Sequence, residues 1–234
     1  MTTPHKSEMR RKQILKAAEK VFAQKGYQES TISDVAREAK VSDATIYEYF
    51  PSKEDLLFSI PGEMTRKYTD EVRKFLTYFR GYGEKLRCVI QHYLWFYESH
   101  SDYASVAMLI LKQNRNFLDK AAYQDVREHA QLILQLIEAG MKSGEFRRDL
   151  NPYLIRAMIL GTIEHLVIRR VLLGKPERLV PFTDSFWEMI SCGINQPKKE
   201  KAFTIRFTSE PEEDESKGEQ AGEKKKKNTG EKKN

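Results

Sequence analysis

Three short apolar periodicities, each closed by its own stop signal, occupy the first fifty-odd residues and constrain the fold more than any other feature of the chain. Ile14, Leu15, Ala18, Val21 and Phe22 fall at helical spacing, and Gly26 is placed to end that helix in the left-handed conformation that glycine tolerates. The first helix is predicted over roughly Ser7 to Lys25. Thr31 precedes Ile32, Val35, Ala36 and Ala39, so its hydroxyl can cap a short second helix, while Asp34 three residues on favours the positive helix end. After a break at Lys40 to Ser42, Ser42 can cap a third helix that turns Ile46 and Phe50 inward, and Pro51 and Ser52 close it. Three short helices with a four-residue step between the second and third make a helix-turn-helix unit.

Beyond this unit the apolar spacing stays helical. Longer helices are predicted over about 54–80, broken or kinked near Pro61-Gly62, and over 83–99, 102–112, 121–143, 152–173 and 182–194, bordered by glycines, prolines and Asn151. No run alternates with strand periodicity. The predicted fold class is therefore all-α: an N-terminal three-helix helix-turn-helix domain over 1–55 and a larger helical domain over 56–195. From Gln196 onward the chain turns to Lys, Glu, Ser and Gly and ends in Lys-rich runs, which predicts a disordered charged tail over 196–234. The apolar run Ala202 to Phe207 is either a sticky exception or part of that tail.

Composition narrows the function. The 40% hydrophobic content of 234 residues is enough for a real core. Cys88 and Cys192 lie in apolar, helix-like segments without metal-ligand spacing, which reads as reduced thiols in a cytoplasmic protein and gives no metal site. The N-terminus lacks the apolar run of a signal peptide, and no stretch approaches the ~20 apolar residues of a membrane span, so no membrane partner is expected. There is no phosphate loop, no GxSxG, no HExxH and no dinucleotide fingerprint, so neither an enzyme nor a cofactor is expected. The net charge of +6 is spread along the chain, except for a basic arm of Lys6, Arg10, Arg11 and Lys12 that can neutralise phosphates.

The stretches Ile14-Leu15-Lys16-Ala17-Ala18, Phe22, Gly26-Tyr27, Thr31-Ile32, Val35-Ala36, Val41-Ser42, Thr45 to Phe50 and Lys53 to Leu57 resemble the DNA-binding domain of the tetracycline-repressor (TetR) family. A weaker likeness to the final helices of such regulators runs through Gly144-Glu145-Phe146, Asp149 to Pro152 and Gly161 to Leu173. The resemblance implies a sequence-specific repressor released from its operator by a small molecule. It also implies residue roles: Thr31, Ser42, Tyr49 and Lys53 as phosphate contacts, with Ser33, Asp43, Ala44, Thr45 and Tyr47 nearest the bases. Tyr47 can lay its ring on a thymine methyl. Two departures stand out. Lys40 occupies a turn position where the family often has glycine, at a cost of roughly 1–2 kcal/mol if it is left-handed. Asp43 and Glu48 put acids on the third helix, and Asp43 either caps that helix or accepts from a cytosine.

The segment 152–173 is apolar nearly all round, and with Phe182, Phe186, Trp187, Met189 and Ile190 it suits a four-helix homodimer interface of the kind the family uses, so that two recognition helices meet a palindromic DNA operator. The other reading makes it only the core of one chain. The aromatic-rich segment 83–123 is either core or the lining of an effector cavity. The candidate ligand-binding residues are His92, Tyr93, Phe96, Tyr97, Met108, Gln113, His165 and Arg169, with Glu98 and Glu164 as further polar groups and His165 with Glu164 alternatively serving the dimer contact. Pocket composition and kinship to lipid-responsive relatives point to an acyl-CoA or related lipid-like apolar acid. The rival to a DNA-binding regulator is a helical scaffold or adaptor, which leaves the Thr45 to Phe50 match unexplained.

Overall fold

The computed structural model describes residues 4–195; the expected charged tail lies outside the described residues. Helix α1 (Pro4–Lys25) buries Ile14, Ala18, Val21 and Phe22 and stops where the Gly26 N–H bonds to the Phe22 carbonyl, with φ +78° at the glycine. Helix α2 (Ile32–Ala39) begins in a capping box: Thr31 Oγ1 accepts from the Asp34 N–H, and the Asp34 side chain accepts from the Thr31 N–H. It ends at Lys40, which takes the left-handed conformation at φ 54°, ψ 47°. Helix α3 (Asp43–Tyr49) is capped by Ser42 Oγ, which accepts from Thr45 N–H at 3.1 Å. Ser42 is extended, which brings its own hydroxyl to the helix end, so the capping role considered for Asp43 falls to its neighbour.

Helix α4 (Lys53–Leu76) runs unbroken through Pro61, so of the break or kink expected there the break is absent. Proline removes a single backbone donor. Leu56, Leu57, Phe58 and Ile60 before the proline and Thr65, Thr69 and Val72 after it are buried and hold the helix to its neighbours. Helix α5 (Tyr82–Ser99) starts with its Tyr82 and Gly83 amides donating to the Glu145 carboxylate at 2.7 and 2.6 Å. Helix α6 (Ser101–Ser105) passes into a π-helical turn, Val106–Leu111, and a 3₁₀ turn, Arg115–Asp119, follows. Then come α7 (Ala121–Ser143), α8 (Pro152–Leu173), a 3₁₀ turn at Val180–Phe182 and α9 (Thr183–Ile194). Among the described residues an isolated bridge between Phe146 and Asn195 is the one extended pairing, and no helix is long and apolar enough to cross a membrane.

Two apolar clusters divide the interior. One is built by α5, α7, α8 and α9 around Leu86, Ile90, Ile133, Ile137, Ile159 and Ile163. The other starts in α1–α3 with Ile14, Phe22 and Ile46, continues through Leu56 and Phe58 of α4, and reaches Phe96, Tyr103, Leu111 and Phe117. The core of the first three helices is thus continuous with residues far along the chain.

Candidate functional site

Helix α3 is anchored from one side only. Ile46 is wholly buried and Phe50 closes the helix, whereas Tyr47 is 53% exposed and Ser42, Asp43, Ala44 and Glu48 also face outward. Thr45 is half-buried, and Thr31 and Ser33 are exposed on the neighbouring end of α2. Ser33 Oγ donates to Asp43 Oδ2 at 2.5 Å, which ties the first turns of α2 and α3 and occupies one oxygen of the acid. Asp34 is occupied too: Lys25 Nζ lies at 2.7 Å and Arg37 at 2.9 Å. Hydrogen bonds from Lys25 and Thr31 hold its carboxyl well below the usual range.

Lys53 is engaged inside the unit. Its ammonium donates to the Tyr27 carbonyl and, at 2.6 Å, to the Ser30 carbonyl, and it lies 4.3 Å from the Tyr27 ring centroid. Burial lowers its pKa. With two N–H bonds spent on backbone, at most one remains for a phosphate. Tyr49 is half-buried and its hydroxyl accepts from Ser7 Oγ at 3.4 Å. Arg11 stacks over Phe50 at 5.1 Å, which sets its charge beside the α3 terminus.

A cavity of about 300 Å³ lies among α4, α5, α7, α8, the π-helical turn and the 3₁₀ turn that follows it. Tyr93, Phe96 and Tyr97 line it from α5, Met108 and Leu111 from the π-helical turn, and Phe117 from the 3₁₀ turn. Thr65 and Tyr68 of α4 and Tyr123 and His129 of α7 complete the polar part of the wall. Lys112 and Arg127 are exposed members of the lining, and Lys112 pairs with Glu164. Along and behind this wall, Thr69 Oγ1 and His129 Nδ1 are 2.8 Å apart, Thr65 meets the Tyr103 hydroxyl at 3.3 Å, and Tyr68 meets His100 Nε2 at 2.8 Å. Burial pushes the Tyr103 phenol up to about 12 and raises Tyr93 and Tyr97 as well. It drives His129 down to about 3, so the imidazole is neutral.

Of the eight residues considered for a ligand, the structure brings Tyr93, Phe96, Tyr97 and Met108 to this wall. His92 turns the other way, into an open groove with Phe75, Tyr78 and Trp95, where its Nε2 is buried without a partner. Gln113, His165 and Arg169 are exposed and off the wall. Glu98 instead accepts from the Leu179 and Val180 amides at 2.5 and 3.1 Å, capping the turn before α9. Thr65, Tyr68 and His129 went unread in the sequence. His129 sits four residues before Ile133 on the apolar stripe of α7, a position where a histidine is itself a signal.

The cavity wall is fastened to the start of α4. Phe117 packs on Phe58, Asn116 Nδ2 donates to Glu54 at 3.2 Å, and Lys120 lies 3.8 Å from Asp55. On the far side, Leu154, Met158, Gly161, His165, Arg169 and Leu172 form an exposed stripe along α8, and Gly161 has open space where a side chain would stand.

The sequence pattern of the bacterial regulatory proteins of the tetR family matches residues 14–60, and that of the YsiA-like C-terminal region matches residues 62–193. The chain is 31% identical over 183 residues to the fatty acid metabolism regulator protein of Bacillus subtilis, covering 78% of this chain and 94% of that one. It is also 31% identical over 164 residues to the transcriptional regulator HbdR of an Aromatoleum species, covering 69% and 70%. The crystal structure of the regulator FadR from Bacillus subtilis in complex with stearoyl-CoA superposes with a TM-score of 0.73 at 31% identity, over 79% of this chain and 99% of that one. With both regions matched and the helical architecture shared, the chain belongs to the TetR family of DNA-binding bacterial transcriptional regulators.

Proposed function

We propose that this protein is a homodimeric repressor whose residues 1–55 grip a palindromic operator and whose residues 56–195 bind an acyl-CoA or similar apolar acid that releases it. One observation carries the reading: the segment that walls the cavity at Phe117 is the same segment that holds the first turns of α4, next to the exposed α3. A ligand that displaces Phe117 therefore acts on the base of the recognition unit. Tyr47, Thr45, Ala44, Asp43 and Ser33 meet base edges, and Thr31, Ser42 and Tyr49 meet phosphates. Lys53 serves chiefly as the strut between α4 and the α1–α2 turn, with its remaining N–H directed to a phosphate.

The effector class is supported by the stearoyl-CoA bound to the FadR relative and by the cavity itself, which is apolar and aromatic inside with Lys112 and Arg127 exposed at its edge, where the phosphates of a coenzyme A head would lie. Dimerisation uses the α8 stripe and the exposed Met189 of α9. Ligand shifts the population towards a dimer whose two recognition helices no longer fit major grooves ~34 Å apart. The test is salt-dependent binding of a palindromic duplex in a gel shift, repeated with octanoyl- and stearoyl-coenzyme A. Operator binding that one thioester abolishes supports the reading; duplex binding indifferent to both contradicts the effector class, and no duplex binding contradicts the repressor.

A further inference from the structure

The proton bookkeeping of the cavity floor specifies more than an apolar acid. Thr69 Oγ1 donates its one proton to the Thr65 carbonyl at 2.8 Å, one turn back along α4. In its second contact, the 2.8 Å approach to His129 Nδ1, the hydroxyl can therefore only accept. His129 must supply the hydrogen, which fixes the neutral imidazole as the Nδ1–H tautomer. Its other nitrogen, Nε2, is left as an acceptor. His129 is only 8% exposed, lines the cavity and has no partner for Nε2 among the described residues.

Two phenols beside it lack partners as well. Tyr93 is 5% exposed, its ring centroid is 4.4 Å from that of His129, and Tyr97 follows at 6.4 Å from Tyr93. Neither hydroxyl makes a hydrogen bond among the described residues, although both line the cavity. Their neighbours behave differently: Tyr103 is bonded to Thr65, and Tyr68 to a histidine whose Nδ1 serves the Phe96 carbonyl. Tyr123, half-buried further along the wall, also has a hydroxyl without a hydrogen bond among the described residues, but one acceptor and two phenols gather in the single patch around His129. Polar groups that face a cavity without a protein partner must find one in what fills it, so such a set is a mould of the occupant.

We infer that the effector carries a hydroxyl group on the part that enters the cavity, donating to His129 Nε2 and accepting from Tyr93 or Tyr97. This deepens the effector reading above and rests on it for the acyl thioester. A saturated alkyl end satisfies none of the three groups. A carbonyl or carboxylate accepts from the phenols but faces the Nε2 lone pair with another lone pair, and a carboxylate also brings a buried charge. A hydroxyl both donates and accepts. The cavity volume, about twice the 150 Å³ or so of void that admits a benzene, suits a hydroxylated ring or a hydroxylated chain of medium length.

The experiment uses matched pairs that differ by one hydroxyl. Direct binding of para-ethylphenol and ethylbenzene to the full chain is measured by calorimetry, and operator release is measured with ω-hydroxyoctanoyl- and octanoyl-coenzyme A. The expected result is a preference for the hydroxylated member of about ten-fold or more in both assays, because a site built for a hydroxyl rejects the analogue that lacks it. Tyr93→Phe combined with Tyr97→Phe, which removes no hydrogen bond from the protein itself, should collapse that preference. Equal affinities, a preference for the plain members, or binding of neither small molecule overturns the inference; equal affinities would mean that water alone serves the three groups. A preference for para-ethylphenol with no release by either thioester would instead sink the acyl-thioester reading and leave the hydroxyl standing.

Discussion

Phe117 on the cavity wall and Phe58 on the inner face of α4 meet ring to ring, with centroids 5.5 Å apart and planes inclined at 36°. Phe58 belongs to the same buried cluster as Ile14 and Phe22 of α1, so the contact joins the cavity to the core of the helix-turn-helix. Packed cores respond to displacement by switching between arrangements rather than by yielding smoothly. On the proposed function, this contact is the ligand's lever on the recognition helices.

Phe117→Leu keeps an apolar side chain and removes the ring contact. Ligand affinity measured by calorimetry should change little, while the coupling between ligand and operator falls by about 0.5–2 kcal/mol. Equal losses in both would show that Phe117 only shapes the cavity.

Tyr47 and Lys53 are separable although both lie at the operator-facing unit. Tyr47 is exposed and makes no hydrogen bond among the described residues, so Tyr47→Ala should leave stability within about 0.5 kcal/mol and weaken operator binding by about 1–3 kcal/mol. Lys53→Met strands the Ser30 carbonyl and leaves the Tyr27 carbonyl with the Ser30 hydroxyl alone, so it should cost about 1–3 kcal/mol in a urea titration as well as operator affinity. Unchanged stability in Lys53→Met would argue against the strut.

How far the sequence could be read divides along the same line as these two residues. The caps of α2 and α3, the left-handed Lys40 and the inward Ile46 are set by neighbours three or four positions away, and they stand where the spacing puts them. Pro61 does not break α4, because one missing N–H weighs less than the burial of Leu57 and Ile60 before it and of Thr65, Thr69 and Val72 after it. The cavity was half legible. Tyr93 faces it and His92 does not, a rotation of about 100° between neighbours on a helix, and apolar spacing alone does not say which side of α5 meets a void. Thr65 and His129, 64 positions apart in the chain, meet the same wall only through the packing of α4 on α7.

Stability should depend on pH through the buried imidazole. His129 is depressed to about 3 from an ordinary 6.5 by burial first, with His92 and Arg73 adding to it. Between those values the unfolded chain holds the extra proton, so stability is full above about pH 6.5 and declines as the pH falls towards 3, by up to about 1.4 kcal/mol per unit. His92, also lowered by burial, acts in the same sense. Asp34 contributes only below about pH 4, where carboxylates begin to protonate. Urea midpoints at pH 7, 6 and 5 should decline, and His129→Gln should flatten the slope; an unchanged slope would contradict the buried neutral imidazole.

The α8 stripe makes its own prediction. Met158→Glu with Leu172→Glu places charge on residues that are exposed in one chain, so the helices should still form, but sedimentation should report single chains and operator affinity should fall with the loss of the second half-site contact. A dimer that survives both changes would assign pairing to another surface.

The most direct measurement is reciprocal linkage between the two sites. Operator affinity is determined with and without saturating ω-hydroxyoctanoyl-coenzyme A, and affinity for that thioester is determined with and without saturating operator. Both should fall by the same factor, about 5- to 150-fold for a coupling of the usual 1–3 kcal/mol. A thioester that occupies the cavity while operator affinity stays unchanged would contradict the account.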